Sequence, residues 1–351
     1  MKILYAAQAT GNGHLSRANE IIPFLKNKCD LDILVSGTQA DVGLHHFVKY
    51  NRKGFSFIFG KKGGVDFYKT IKQFQSKRFI KEIKNLPVEE YDLVINDFEP
   101  ISAWACKLKN IPCISMSHQF AVIHKAAPKP AKADPFAWMI LRYYAPCTKG
   151  VGFHFKAFAE NIFTPVVRSE IRNAAISNLG HYTVYLPAYE DKKLINFFSN
   201  FKKTEWQIFS KHTKKSYKVG NCSIKPVSAV DFTTSFTSCE GILCGAGFET
   251  PAEALYMGKK LLVIPMKHQY EQHCNAAGAA ELGVPVLKKL KKKYINQVDN
   301  WLNDDSRIQV DYKDDTNKII DQVLAMADLK IVEKPTKKIS INNENLVAQW
   351  L

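Results

Sequence analysis

The feature that most constrains the fold is a series of short apolar runs, each of strand length, separated by segments of helix length. In the first half they read KILYAA (2–7), DILVSG (32–37), DLVIND (92–97) and PCISMSH (112–118). In the second half they read YTVYLP (182–187), GILCGA (241–246) and KLLVIP (260–265). Runs rich in Ile, Val and Leu that alternate with helical patterns predict parallel strands covered on both faces. Two such sets in series predict an α/β protein with two doubly wound domains. The chain has 351 residues, and one core rarely grows past ~250–300. The boundary is expected near residues 168–178, giving a first domain over 1–170 and a second over 171–330. A tail over 331–351 can close a helix that returns to the first domain, since Leu346, Val347 and Trp350 share a face.

Composition narrows the class. A chain with 46% hydrophobic and 23% charged residues is globular. No apolar run approaches the ~18–20 residues of a membrane-spanning helix. The first residues enter a strand pattern without the features of a signal peptide, so the expected location is the cytoplasm. The eight cysteines form no CxxC pair and the ten histidines no HExxH, so neither a disulfide framework nor a bound metal is expected.

The formal net charge of +16 points to an anionic partner: a charged substrate, an anionic membrane surface or nucleic acid. The excess is concentrated at 61–84, with eight basic and two acidic residues, and in KKLKKK at 288–293. Phe67, Ile71 and Phe74 are spaced helically among lysines, and FAWMILRYYAPC adds Trp138, Tyr143 and Tyr144. A basic face with aromatics suits a peripheral contact with anionic headgroups; an ordinary amphipathic helix packed on its own sheet fits the same pattern. No helix-turn-helix, zinc finger or RNA-binding aromatic signature supports nucleic acid.

In open parallel sheets, ligands bind beyond the carboxyl ends of the strands. Three segments place polar residues there: TGNGH (10–14), NDFEP (96–100) and SHQF (117–120). Gly11 and Gly13 permit close backbone approach, and the helix that follows offers free N–H groups to an anion. His14 at that helix start is suited to act as a neutral base, or else simply closes the turn. The second half carries a longer pattern, CGAGFETPAEALYMGKKLLVIPMKHQYEQHCNAAG. Here a strand runs into a glycine turn, and a helix opens with Thr250 and Pro251 in its first turn. Such a helix start can hold a diphosphate. Glu253 one turn in can accept from a ribose diol, and Glu271 and Gln272 lie where sugar hydroxyls can be read.

This arrangement resembles the GT-B glycosyltransferases, in the branch of the peptidoglycan N-acetylglucosaminyltransferases and UDP-glycosyltransferases. Gly247, Thr250, Glu253, Ala254, Gly258, Pro265, Glu271, Gln272, Asn275 and Ala276 carry the resemblance, together with the opening Gly-x-Gly-His turn. It implies two Rossmann-like domains facing across a cleft, with donor on the second and acceptor on the first. The implied chemistry is an inverting, metal-independent transfer from a nucleoside-diphosphate sugar, a UDP-sugar first, to a hydroxyl of a glycan, lipid or small molecule. That sugar nucleotide is a co-substrate, so no cofactor is expected. If the acceptor is lipid-borne, the enzyme sits at the inner face of the membrane.

Carried over residue by residue, the donor would be held by Gly11, Gly13, Arg168, Gly247, Phe248, Glu249, Thr250, Glu253, Glu271 and Gln272. His14 is the first candidate for the base, with Asp97 and Glu99 as rivals; His118 and Gln119 stand on the acceptor side. Departures from the branch pattern include Asn12 in the opening turn, Phe120, Glu249 and Glu271. They argue against lipid-linked muramyl peptide as acceptor. Two other readings share the residues: a UDP-sugar 2-epimerase, and a non-catalytic binder of sugar nucleotide or nucleic acid.

Overall fold

The computed structural model describes residues 1–37, 43–55, 75–147 and 149–331, with side chains to residue 327. Phe67, Ile71, Phe74 and the tail from 332 onward lie outside the described residues.

The first sheet contains β1 (Lys2–Gln8), β2 (Asp30–Ser36), β3 (Tyr50–Arg52), β4 (Leu93–Asp97), β5 (Cys113–Ser117), β6 (Lys149–Phe153) and β7 (Ile162–Phe163). Their order is β3-β2-β1-β4-β5-β6-β7, with every pair parallel. The second contains β8 (Tyr182–Tyr185), β9 (Trp206–Ser210), β10 (Tyr217–Val219), β11 (Cys222–Pro226), β12 (Gly241–Gly245) and β13 (Lys260–Ile264). It is ordered β10-β11-β9-β8-β12-β13, parallel except between β10 and β11. The molecule is therefore α/β, with two sheets in series.

Strand β1 shows why the apolar runs become buried strands. Side chains alternate across a sheet. Ile3, Tyr5 and Ala7 enter the layer shared with the helix Asn12–Lys26, while Leu4 and Ala6 enter the opposite layer with Phe79, Ile83 and Trp104. The helix Ser76–Lys84 thus turns its apolar side onto its own sheet and leaves Lys77, Lys81 and Lys84 outward. That part of the basic segment has no apolar face to offer a membrane.

Both sheets have a point where the strand order reverses, and a crevice opens there. In the first it lies between β1 and β4, beside the opening turn and the end of β4; the register pairs Ala7 with Asp97. In the second it lies between β8 and β12, beside Tyr185 and the turn after Gly245. The two crevices face each other. The His118 ring stacks on Phe248 at 3.9 Å and 8°, and Phe155 packs on Phe248 at 5.2 Å, joining the domains behind the cleft.

The chain recrosses earlier than the expected 331. Helix Thr316–Ile331 packs on helix Asn12–Lys26, β5 and β6, and Lys28 pairs with Asp321. Its buried side chains Ile319, Ile320, Val323 and Ala327 fall on one helical face. Tyr312 anchors the crossing: its hydroxyl donates to Phe155 O at 3.0 Å, and Arg172 Nη1 donates to its carbonyl at 2.9 Å.

Candidate active site

The opening turn delivers His14 to the cleft because helix Asn12–Lys26 begins at Asn12, directly beyond β1. His14 Nδ1 lies 2.8 Å from Asp97 Oδ1 at the end of β4. A neutral ring that donates from Nδ1 to this carboxylate keeps an unprotonated Nε2 on the cavity side. Gln119 Nε2 stands 3.4 Å from that nitrogen and donates to Glu271 Oε2 at 3.1 Å, which links His14 to the second domain. The Gln119 Oε1 atom is buried and has no hydrogen-bond partner among the described residues.

Asp97 is fully buried and its charge is held by Arg17, one helical turn beyond His14. Arg17 Nη2 donates to both Asp97 oxygens at 2.8 and 2.9 Å, and its Nε donates to Oδ2 at 3.1 Å. Burial opposes ionisation of Asp97, but Arg17 and His14 outweigh it and hold the carboxyl below its usual range. Arg17 Nη1 reaches across the cleft to Glu249 Oε1 at 2.5 Å. Spacing three residues past His14 on one helix was the signal that could have singled out Arg17.

Glu99, a rival for the base, has another task. Its carboxylate caps helix Pro100–Lys109, accepting from Ile101 N at 2.9 Å and Ser102 N at 2.6 Å. Ser36 Oγ and Ser102 Oγ also donate to it, each at 2.6 Å. Burial pushes its pKa up against those hydrogen bonds. With no exposed surface and both oxygens occupied, Glu99 does not meet a substrate. Asp97 likewise presents no surface to the cavity; it orients His14.

His118 lines the cavity beside Gln119, but its ring nitrogens are engaged by protein. It is 1% exposed, with Nδ1 2.7 Å from Phe153 O and Nε2 2.7 Å from Asn275 Oδ1. Burial drives its pKa down to about 4. The ring bridges the domains, and burial opposes its charged form.

On the second domain, helix Glu249–Tyr256 starts beyond β12 with Phe248 at its N-cap, and no side chain caps it. Its first N–H groups therefore remain for an anion. Gly247 has open space where a side chain would stand. Arg168 and Glu253, each expected to hold the donor, bind each other: Nε to Oε1 at 2.6 Å and Nη2 to Oε2 at 2.8 Å. Neither residue lines the cavity, nor does Thr250. Gln272 Oε1 accepts from Met266 N at 2.9 Å and so braces the loop after β13.

Between the domains lies a cavity of about 590 Å³. Gly11, Gly13, His14 and Phe98 line one wall and Gly247, Phe248, Glu249, Glu271 and Gln272 the other. Two non-glycine residues with positive φ, Phe98 (57°) and His268 (63°), border it. Held strain of this kind concentrates at functional sites. Phe98 stacks between Tyr144, at 4.8 Å, and His14, at 6.3 Å; nothing in the sequence marked it. Helix Pro135–Tyr144 closes a third side with Ala137, Ile140 and Leu141, while Phe136, Met139 and Tyr143 of the same helix are exposed. Among the described residues, no group of three or more His, Cys, Asp or Glu side chains is placed to hold a metal ion.

Two facing doubly wound domains with a polar cleft at both switch points define the GT-B glycosyltransferase fold. The MurG protein of Acinetobacter baumannii matches with a TM-score of 0.54 over 95% of this chain and 100% of that one, at 14% identity. The spinosyn rhamnosyltransferase SpnG, solved with thymidine diphosphate, matches with a TM-score of 0.54 over 95% and 99%, also at 14% identity. No curated protein sequence matches the chain. The model of glycosyl transferase family 1 matches residues 1–304, and the chain belongs to that family: it is a glycosyltransferase.

Proposed function

We propose that the protein is an inverting, metal-independent glycosyltransferase that takes a sugar from a nucleoside-diphosphate donor, a UDP-sugar first, and passes it to an acceptor hydroxyl in the interdomain cavity. One observation carries the reading: His14, oriented by a buried Asp97, faces the open helix start at Gly247–Glu249 across that cavity. The acceptor oxygen attacks the anomeric carbon from the face opposite the diphosphate, and its proton passes to His14 Nε2. The bond from that carbon to the diphosphate oxygen breaks as the new one forms. Asp97 holds the productive tautomer and stabilises the imidazolium. The leaving diphosphate is received by backbone N–H groups at the start of helix Glu249–Tyr256, in a cavity that Lys211 also lines.

Gln119 Oε1 and Gln269 Oε1, buried acceptors with no partner among the described residues, are suited to sugar hydroxyls. Arg168 and Glu253 support the donor helix from behind, and a ribose contact requires Glu253 to turn from Arg168. The apolar helix wall, with Phe136, Met139 and Tyr143 outward, favours an acceptor with an apolar portion met at an anionic membrane surface inside the cell. Equal, negligible flotation with neutral and anionic liposomes would remove that last element.

A thermal-shift panel of UDP-, dTDP-, GDP- and CDP-sugars tests the donor site, with dTDP included because a fold relative was solved with thymidine diphosphate. At least one donor should raise the melting temperature, and Glu253→Ala should weaken the shift. A panel without any shift would sink the assignment.

A further inference from the structure

Glu249 is out of place in an anion site. It is the first residue of helix Glu249–Tyr256, where N–H groups face the cavity. Its side chain lies against the opposite wall, with Cγ 2.9 Å from where a Cβ on Gly13 would stand. Glycine at 13 lets the side chain lie there without displacement. There the carboxylate accepts from Arg17 Nη1, filling the space between the two glycine turns that the donor reading assigns to the diphosphate.

Arg17, the cation in contact with Glu249, brings no spare charge for a dianion. Arg17 is already neutralised by Asp97, which it grips with three hydrogen bonds. His14 faces Glu249 from the same helix as Arg17, Tyr5 lies beneath in β1, and Glu253 follows one turn along, paired with Arg168. Glu271 adds a further carboxylate from helix Tyr270–Glu281. Gln119, which donates to Glu271, keeps a buried Oε1 with no hydrogen-bond partner among the described residues.

We infer that the Glu249 carboxylate is a built-in competitor for the donor: it occupies the diphosphate's place on Arg17, and donor binding requires it to leave or to take up a proton. Arg17 then exchanges a carboxylate oxygen for a phosphate oxygen. The inference rests on the donor-site reading above. Burial, with Glu253 and Asp97 adding to it against the pull of Arg17, pushes the Glu249 pKa up to about 7. Below that pH the neutral carboxyl opposes the donor little. Above it, the carboxylate competes in full, so donor affinity falls as pH rises through neutrality.

The test is calorimetric titration at pH 6, 7 and 8 with UDP-glucose, UDP-N-acetylglucosamine and dTDP-glucose, whose phosphates do not titrate in this range. For whichever binds, the wild-type Kd should weaken about tenfold from pH 6 to 8. Glu249→Gln and Glu249→Ala should bind at pH 8 as tightly as the wild type does at pH 6, with no slope. A wild-type slope retained in both variants overturns the inference, as does weaker binding at every pH, which would make Glu249 a donor contact. No binding by any of the three proteins overturns the donor site itself, and the competitor with it.

Discussion

Asp97 and Glu99 stand two residues apart at one strand end, yet their surroundings give them different work. Asp97 is gripped by Arg17 and touches His14, so Asp97→Asn should lower kcat by about 10²–10⁴, the range of a general base deprived of its orienter. The same change leaves buried Arg17 with Glu249 as its remaining counter-charge and should cost up to about 3–5 kcal/mol of stability in urea unfolding. Glu99→Gln should cost about 1–2 kcal/mol through the lost helix cap while leaving donor affinity intact. Equal losses of donor affinity in both variants would contradict this division. The sequence NDFEPIS placed both carboxylates at the sheet edge, but it did not separate them. Pro100 at the first helical position, following Glu99, was the legible sign of a cap. The Arg17 grip on Asp97 joins residues 80 apart and is invisible to local pattern.

At the scale of elements, glycines decide how closely helices and turns approach. Gly13→Ala meets Glu249 Cγ, part of a flexible side chain that can move, so its stability cost should stay below about 1 kcal/mol. Gly278→Ala instead drives a Cβ to within 2.3 Å of the buried His154 ring, and about 1–3 kcal/mol of overpacking should appear in its unfolding free energy in urea. A Gly278 variant as stable as the wild type would show that helix Tyr270–Glu281 can shift freely. The short apolar runs were legible because Ile, Val and Leu fill both sheet faces. Strand β6 was not, because Gly150 and Gly152 interrupt the pattern. They are there so that the Ser115 backbone and Ala121 can approach, which only the tertiary structure reveals.

For the whole molecule, the two domains are held together by buried histidines as well as aromatics. His118 has its pKa pushed down to about 4 and His154 to about 3, in each case by burial. Both take up protons more readily when unfolded, so their stabilisation is complete above pH ~6.5 and drains away as pH falls toward 4. The unfolding free energy from urea titration should fall over that window by on the order of 3 kcal/mol for His118 alone, and His118→Gln should flatten it. A flat wild-type profile would contradict the bridge. The two-sheet plan was readable from the serial apolar runs. The return of helix Thr316–Ile331 was not, because its apolar face alone does not say which domain it covers. The central claim, that His14 is the base of a donor-loaded cleft, is tested most directly by one comparison. Donor affinity and the release of nucleoside diphosphate are measured for wild type and His14→Ala, using the sugar nucleotide found in the panel. His14→Ala should bind that donor with unchanged Kd and release product at least about 100-fold more slowly; wild-type turnover in the variant would contradict the account.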